Sequence, residues 1–429
     1  MQYLLTAPSL LNHTAHLPAS KSISNRALII HALSGGQTVP DNLSDCDDTE
    51  VIVRALRDNP YEINIKAAGT AMRFMTAYLS VKKGEEHVIT GTERMKHRPI
   101  GTLVDALRRL GADIRYVGEE GFPPLRIRGQ RLEGGVLEVP GNISSQYISA
   151  LLLIGPALSN GLELRLTGDI ISRPYIDLTL WMMREFGADA EWSDYGTISV
   201  KPQPYRERSY YIENDWSAAS YWYEMLALSK NEGERGSQPS EIRLEGLMDG
   251  SKQGDSQVRY IFSLLGVKTM FATKQAGVPT TVTLRHSGRR VPRLEYDFVN
   301  SPDLAQTFVV CCALMDMPFH FRGLSTLKIK ETDRIEALKK EMRKLGYVIH
   351  DLNNSELYWD GERCEPLLEA GIDTYEDHRM ALAFAPAALR IEGLRINNPQ
   401  VVTKSYPKFW EDVTQCGFRI ENLELRLKS

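Results

Sequence analysis

The chain has 429 residues, of which 42% are apolar and 25% charged, and it carries a formal net charge of −4 at pH 7. Such a balance belongs to a globular protein and excludes a disordered, fibrous or membrane-spanning one. Its mild acidity disfavours a nucleic-acid partner, which would call for a broad basic surface. The length exceeds what one hydrophobic core organises and predicts two domains of roughly 200 residues each.

The opening MQYLLTAPSLLNHTAHLPAS has neither the basic and long apolar regions of an export signal nor the Arg-rich character of a transit peptide, so a cytoplasmic protein is expected. LPASKSISNRAL comes next, in which Ser20 or Ser22 can cap a helix whose first turns present Lys21, Ser22 and Arg26. Free backbone N–H groups and the positive dipole end, joined by a lysine and an arginine, suit a phosphate or carboxylate. A capped surface helix with two solvated cations fits the segment equally well.

In AAGTAMR, Gly69 allows close backbone approach to a ligand, Thr70 can cap or hydrogen-bond, and Arg73 lies one turn into a helix. In MKHRPIGTLVDAL, Arg98 precedes a proline that starts the next helix and could aim a guanidinium at a carboxylate or phosphate. GNISSQYISALL and ISRPYIDLTL put Ser144, Ser145 and Gln146, then Ser172 and Tyr175, at helix starts. These neutral hydrogen-bonding groups suit a hydroxylated, phosphorylated ring, although capping alone also explains them. The apolar run ISALLLIGPAL is too short to span a membrane and is broken by Gly155 and Pro156.

Further on, SKNEGERGSQPSE reads as a surface loop. FVNSPDLAQTFVVCCALM carries Asp303 and then Cys311 and Cys312, which read as core residues. In LKIKETDRIEALKKEMRKLG, Lys330, Glu331 and Arg334 are placed three and four apart on one predicted helix, so that cations surround a carboxylate. That setting suits a proton-transfer group if a substrate shares it. TYEDHRMALAF contributes Asp377, His378 and Arg379, and VVTKSYPKFW contributes Lys404. The five cysteines are odd in number and form no CxxC pair, which suits reduced thiols.

One phrase recurs through the whole chain: an amphipathic helix closes on Leu-Gly or a near variant and a strand comes directly after it. VDALRRLGADIRY, LWMMREFGADAEW, YIFSLLGVKTMF, LKKEMRKLGYVIH and FWEDVTQCGFRIE place its glycines at 111, 187, 266, 346 and 417, and VIVRALRDNPYEIN is a weaker first copy. Each glycine would end its helix in the left-handed region. Six βα-rich units, grouped three and three, make an α/β protein of two similar domains. The Pro-rich, charged stretch KPQPYRERSYYIENDW and the early LPAS mark the crossings. The expected division is residues 1–19 with 214–429 as one domain and 20–213 as an inserted one, with an active site in the cleft between them.

Taken in order, LPASKSISNRAL, AGTAMR, RMKHRPIG, GNISSQY, SRPYID, SPDLAQT, KETDR, EDHRMA and VVTKSYP resemble the motif series of the 5-enolpyruvylshikimate-3-phosphate synthases, an enolpyruvyl transferase family, across residues 17–407. The resemblance implies two domains of three βαβαββ repeats each, an inside-out α/β barrel. It implies transfer of the enolpyruvyl group of phosphoenolpyruvate to the 5-hydroxyl of shikimate 3-phosphate, with release of phosphate by addition and elimination. No metal, organic cofactor, nucleic acid or membrane is implied, and a monomer is expected.

By the same resemblance Lys21, Ser22, Arg26, Ser144, Ser145, Gln146, Ser172, Tyr175, Asp303, Thr326 and Lys330 would hold shikimate 3-phosphate. Lys21, Gly69, Thr70, Arg98, Gln146, Arg334, Arg379 and Lys404 would hold phosphoenolpyruvate. Asp303 would take the hydroxyl proton and Glu331 would protonate the methylene, with Lys21 assisting. Four positions depart from the family's usual residues: Lys66 and Ala67 stand where Gly-Asn is common, Phe74 replaces a proline, and Thr326 replaces an asparagine. Retention of Gly69 implies sensitivity to glyphosate. The sister enzymes that act on UDP-N-acetylglucosamine carry a cysteine near the RPIG segment, and residues 90–104 contain none.

Overall fold

Four of the six recurring units each build a four-stranded sheet of the same strand order. In the computed structural model, which describes residues 1–36, 39–230, 239–273 and 275–426, Glu62–Asn64 pairs parallel with Glu86–Thr90, that strand pairs antiparallel with Leu125–Arg128, and Asp113–Tyr116 closes the far edge. The strands Gly135–Pro140, Leu162–Thr167, Thr197–Val200 and Ala190–Asp194 repeat this order, as do Leu294–Asp297, Phe319–Arg322, Glu356–Trp359 and His350–Leu352. The fourth copy is Asn12–His16, Glu241–Met248, Pro279–His286 and Val267–Phe271. A helix leads from the first strand to the second and another from the second to the far edge strand. Parallel neighbours need such a crossover, whereas the last two strands need only a turn.

The fifth copy explains why the two chain ends share a unit. Ile372 makes a parallel bridge to Ile396 in the strand Leu394–Asn397, which pairs with Gln2–Thr6, which in turn pairs with Arg419–Asn422. The N-terminal strand therefore fills a place that its own repeat leaves open. The sixth copy is reduced to a parallel bridge between Asp41 and Tyr211. Gly111, Gly187, Gly266, Gly346 and Gly417 all have φ between 83° and 103°, and in the weakest copy Asn59 takes the left-handed place with φ 43°.

The chain divides into two compact units, Met1–Pro18 with Glu213–Ser429, and Ala19–Ile212. Both boundaries fall one residue before those drawn from the sequence. Glu213 belongs with the larger unit because its buried carboxylate accepts hydrogen bonds from Trp216 Nε1, Met248 N, Ser251 Oγ and Gln253 Nε2. Ala19 packs in the core of the inserted unit. Each unit has its own hydrophobic core, and Cys311 and Cys312 lie wholly inside that of the larger one. Most of the segment read as a surface loop, residues 231–238, lies outside the described residues. No described helix is long and apolar enough to cross a membrane.

Candidate functional site

Within the unit Ala19–Ile212 the expected residues gather at helix starts. Ser20 caps the helix Lys21–Ser34 by accepting from Ile23 N, and Lys21 Nζ lies 3.2 Å from Asp48 Oδ2, a buried carboxylate. Arg26, one turn on, is 3% exposed. Its Nε donates to Thr179 Oγ1 at 2.7 Å, Nη2 to Ser149 Oγ and Tyr175 O, and Nη1 to Ser22 O, while Phe74 lies beneath the guanidinium at 5.4 Å. Arg26 is thus tied to three other parts of its own unit, and the aromatic Phe74 gives it a face to rest on. Burial, opposed by Tyr175, pushes its pKa down to about 10, so it stays a cation at neutral pH.

Ser144 caps the helix Ser145–Ile154 through Gln146 N, and the Gln146 amide reaches back to Thr70 Oγ1 at 3.1 Å. Gly69 opens the helix Gly69–Ser80, and Arg73 returns to it by donating to Gly69 O and to Pro99 O. Tyr147 OH also donates to Pro99 O, which fixes the turn that carries Arg98. A Cβ at position 69 would stand 2.7 Å from Arg98 Nη1, so the guanidinium lies across the bare glycine. Pro99 precedes the helix Gly101–Arg109 and its N-cap Ile100 instead of starting the helix as expected. Ser172, buried, sits with φ 53° ahead of the helix Arg173–Glu185, in which Tyr175 lies.

In the larger unit, Arg334 is the hub. It is 1% exposed, and its guanidinium meets three carboxylates: Asp377 through Nε at 2.6 Å and Nη2 at 3.2 Å, Asp303 through Nη1 at 2.9 Å, and Glu331 through Nη2 at 2.8 Å. Lys330 Nζ lies 3.3 Å from Asp303 Oδ1 and Arg379 Nη2 3.3 Å from Oδ2, while Lys404 Nζ donates to Glu331 Oε1 at 3.1 Å. Four cations thus surround three carboxylates. Burial raises the Asp303 pKa, but Lys330, Arg379 and Arg334 together outweigh it and hold this carboxyl well below the usual range. Burial opposes the charge of Arg334 as well, and the three carboxylates override that too and raise its pKa.

The backbone here differs from the expected single helix over Lys330, Glu331 and Arg334. Asp333 accepts from Glu336 N and caps a helix that begins only at Arg334, and Lys330 is extended at the end of a 3₁₀ turn, Ser325–Ile329. Glu331 and Arg334 nevertheless meet, because the cap folds the preceding residues back over the helix start. Thr326 lies in that 3₁₀ turn, and its buried Oγ1 has no hydrogen-bond partner among the described residues. Asp377 also caps the helix His378–Phe384 through Arg379 N, which fixes Arg379 beside Asp303.

Sequence reasoning missed four participants. Asp48 pairs with Lys21, Ser149 and Thr179 hold Arg26, and Tyr221 OH accepts from Arg379 Nη1 at 3.4 Å. Asp48 sits in the acidic first turn of the helix Asp47–Asp58, where its charge reads simply as a complement to the dipole. For the other three the sequence carries no local signal.

The family model for EPSP synthase (3-phosphoshikimate 1-carboxyvinyltransferase) matches residues 5–59 and 58–413. A 3-phosphoshikimate 1-carboxyvinyltransferase of Bacteroides fragilis is 58% identical over 421 residues, covering 98% of this chain and 99% of that protein. A protein of the same name from Photobacterium profundum is 34% identical over 446 aligned positions, covering 97% and 99%. The solved EPSP synthase of Acinetobacter baumannii has the same fold, with a TM-score of 0.76 at 21% identity over 98% of this chain and all of that one.

Proposed function

The chain belongs to the EPSP synthase family, and from that premise we propose that its two clusters of cations, carboxylates and hydroxyls serve one reaction: transfer of the enolpyruvyl group of phosphoenolpyruvate to the 5-hydroxyl of shikimate 3-phosphate. The observation that carries the chemistry is Asp303, a carboxylate kept ionised by Lys330, Arg334 and Arg379. Phosphoenolpyruvate brings a phosphate and a carboxylate, and both compete with Asp303 and Glu331 for those cations. Each cation drawn off raises the proton affinity of the carboxylate it leaves. Substrate binding therefore turns a very weak base into a useful one.

Asp303 then takes the proton of the 5-hydroxyl as its oxygen bonds to C2 of phosphoenolpyruvate, and Glu331, which gains a solvent proton once the substrate draws Lys404 and Arg334 from it, delivers that proton to the C3 methylene. The tetrahedral adduct next breaks its C2–O bond to phosphate, which leaves with the proton held by Asp303, and gives a methyl proton back to Glu331, which restores the double bond. Arg98, Arg379, Lys404 and Lys21 are the cations assigned to phosphoenolpyruvate and to the charge that builds on the departing phosphate, together with Arg334, Gly69, Thr70 and Gln146. Lys21, Ser22, Ser144, Ser145, Gln146, Ser172, Tyr175, Thr326 and Lys330 are assigned to shikimate 3-phosphate. Arg26 joins them through Nη1, whose bond to Ser22 O uses one of its two hydrogens. The protein is further proposed to work as a cytoplasmic monomer; all five of its cysteines are free thiols, as a reducing compartment keeps them.

The test is phosphate release on mixing purified protein with phosphoenolpyruvate and either shikimate 3-phosphate or UDP-N-acetylglucosamine. Release with the first acceptor alone is expected; release with neither, from folded protein, would sink the assignment. Asp303→Asn should lower kcat by about 10²- to 10⁴-fold, the usual worth of a positioned acid or base.

A further inference from the structure

Arg379 and Lys404 come from segments 25 residues apart, yet adjacent residues of one helix reach toward both. Tyr221 and Trp222 lie in Trp216–Leu228, and both are buried. Tyr221 OH accepts from Arg379 Nη1, whose other acceptor is Asp303 O at 3.3 Å. Trp222 Nε1 donates to Tyr406 OH at 3.2 Å, and Tyr406 OH donates to Asp412 Oδ2 at 2.7 Å. Tyr406 is two residues beyond Lys404. Trp410 Nε1 donates to Pro399 O and closes the same segment from its other side.

The two arms are joined. Phe409, fully buried, packs edge-on against Tyr221 at 6.4 Å and against Tyr406 at 5.4 Å. Tyr221, Phe409, Tyr406 and Trp222 therefore form one connected aromatic group, bonded to Arg379 through Tyr221 and lying two residues along the chain from Lys404 through Tyr406. Edge-to-face pairs of this kind have a preferred geometry and resist sliding.

We propose that Tyr221 and the Tyr406 hydroxyl, through this aromatic brace, are positioning residues that hold Arg379 and Lys404 at a fixed separation for the two anionic ends of phosphoenolpyruvate. The inference rests on the assignment of Arg379 and Lys404 to that substrate. Both cations also face carboxylates, Asp303 and Glu331, which would draw them away from an incoming anion. A neutral hydroxyl holds Arg379 without cancelling its charge, which a further carboxylate would do. Burial pushes Tyr221 up to about 12, so the phenol stays neutral wherever the reaction is assayed.

Tyr221→Phe and Tyr406→Phe keep the rings and remove one oxygen each. With both substrates varied, each is expected to raise KM for phosphoenolpyruvate by about 3- to 10-fold, since the bonds removed position a cation and are not themselves bonds to the substrate. kcat should stay within about twofold and KM for shikimate 3-phosphate should not move, as fits loss of binding common to ground and transition states. Wild-type KM for phosphoenolpyruvate in both variants would overturn the proposal, as would an equal loss on both substrates or a fall in kcat alone. If Tyr406→Phe does not fold, Tyr221→Phe decides the matter by itself. Failure of the unsubstituted protein to release phosphate would instead sink the assigned reaction, so the two failures are told apart.

Discussion

Gly69 and Arg98 are placed so that a methyl group on the first would lie 2.7 Å from Nη1 of the second and 3.1 Å from its Cζ. Such a contact is shorter than side-chain carbons tolerate, and the flexible partner must move. Arg98 is the group that can, since the turn carrying it is pinned by Tyr147 and Arg73 at Pro99 O. Gly69→Ala should therefore leave the fold intact, raise KM for phosphoenolpyruvate by roughly tenfold and spare KM for shikimate 3-phosphate, since a displaced bidentate donor costs on the order of one charge-assisted hydrogen bond. The unsubstituted enzyme should lose its rate in millimolar glyphosate, and the same displacement should weaken that inhibition. Steady-state kinetics with and without the inhibitor check both.

The repeat was readable because each copy ends its helix the same way, and a left-handed glycine with an edge strand directly after it is a local feature that the sequence must encode locally. The cations at 21, 98, 330, 334, 379 and 404 were readable for the same reason: they sit at element ends. What holds them was not readable. Ser149 and Thr179 meet Arg26 from more than 120 residues away, and Tyr221 meets Arg379 from 158. Such pairings are made by the packing of whole helices, and a serine or tyrosine inside an apolar helix carries no mark of its partner. Lys330 and Glu331 show the opposite case. Helical spacing gave the right neighbours for Arg334, but the cap at Asp333 brings them there through an extended backbone.

Thr326 offers a sharp test of one departure from the family's usual residues. Its hydroxyl is buried and has no partner among the described residues, so its hydrogen bond is reserved for something outside the chain or is unmade. Thr326→Val keeps the shape. The fold should be no less stable, because an unpaired hydroxyl is removed, and KM for shikimate 3-phosphate should rise by about 3- to 10-fold. An unchanged KM for that substrate in an initial-rate assay would remove Thr326 from the site.

Arg334 is where the larger cluster is weakest to substitution. Arg334→Lys preserves one charge but has no planar fork, and it would leave at least one of Asp303, Glu331 and Asp377 without its donor. Breaking a buried ion network in this way costs on the order of 3 to 5 kcal/mol, which denaturant unfolding of the purified variant would register. The same network makes stability acid-sensitive. Asp303 has a folded pKa below its unfolded one, so its contribution is fully present above the unfolded value of about 4 and is lost as pH falls below it toward the folded value. Wild-type stability should fall from pH 5 to pH 3 more steeply than that of Asp303→Asn.

Glu224 carries the opposite sign. It lies in the same helix as Tyr221, is fully buried, and neither carboxyl oxygen has a hydrogen-bond partner among the described residues. Burial raises its pKa well above the usual value. The folded state therefore keeps this proton where the unfolded chain, with a carboxyl pKa of about 4.3, releases it. The penalty is absent below that value and grows as pH rises from there toward the folded pKa, by about 1.4 kcal/mol for each pH unit. Glu224→Met should stabilise the protein, since an unpaired buried polar group costs about 1 to 3 kcal/mol even when neutral, and the gain should be larger at pH 8 than at pH 5.5. Urea unfolding of both proteins at the two pH values decides it: a gain that does not change with pH would mean that Glu224 is ionised or solvated in the folded protein.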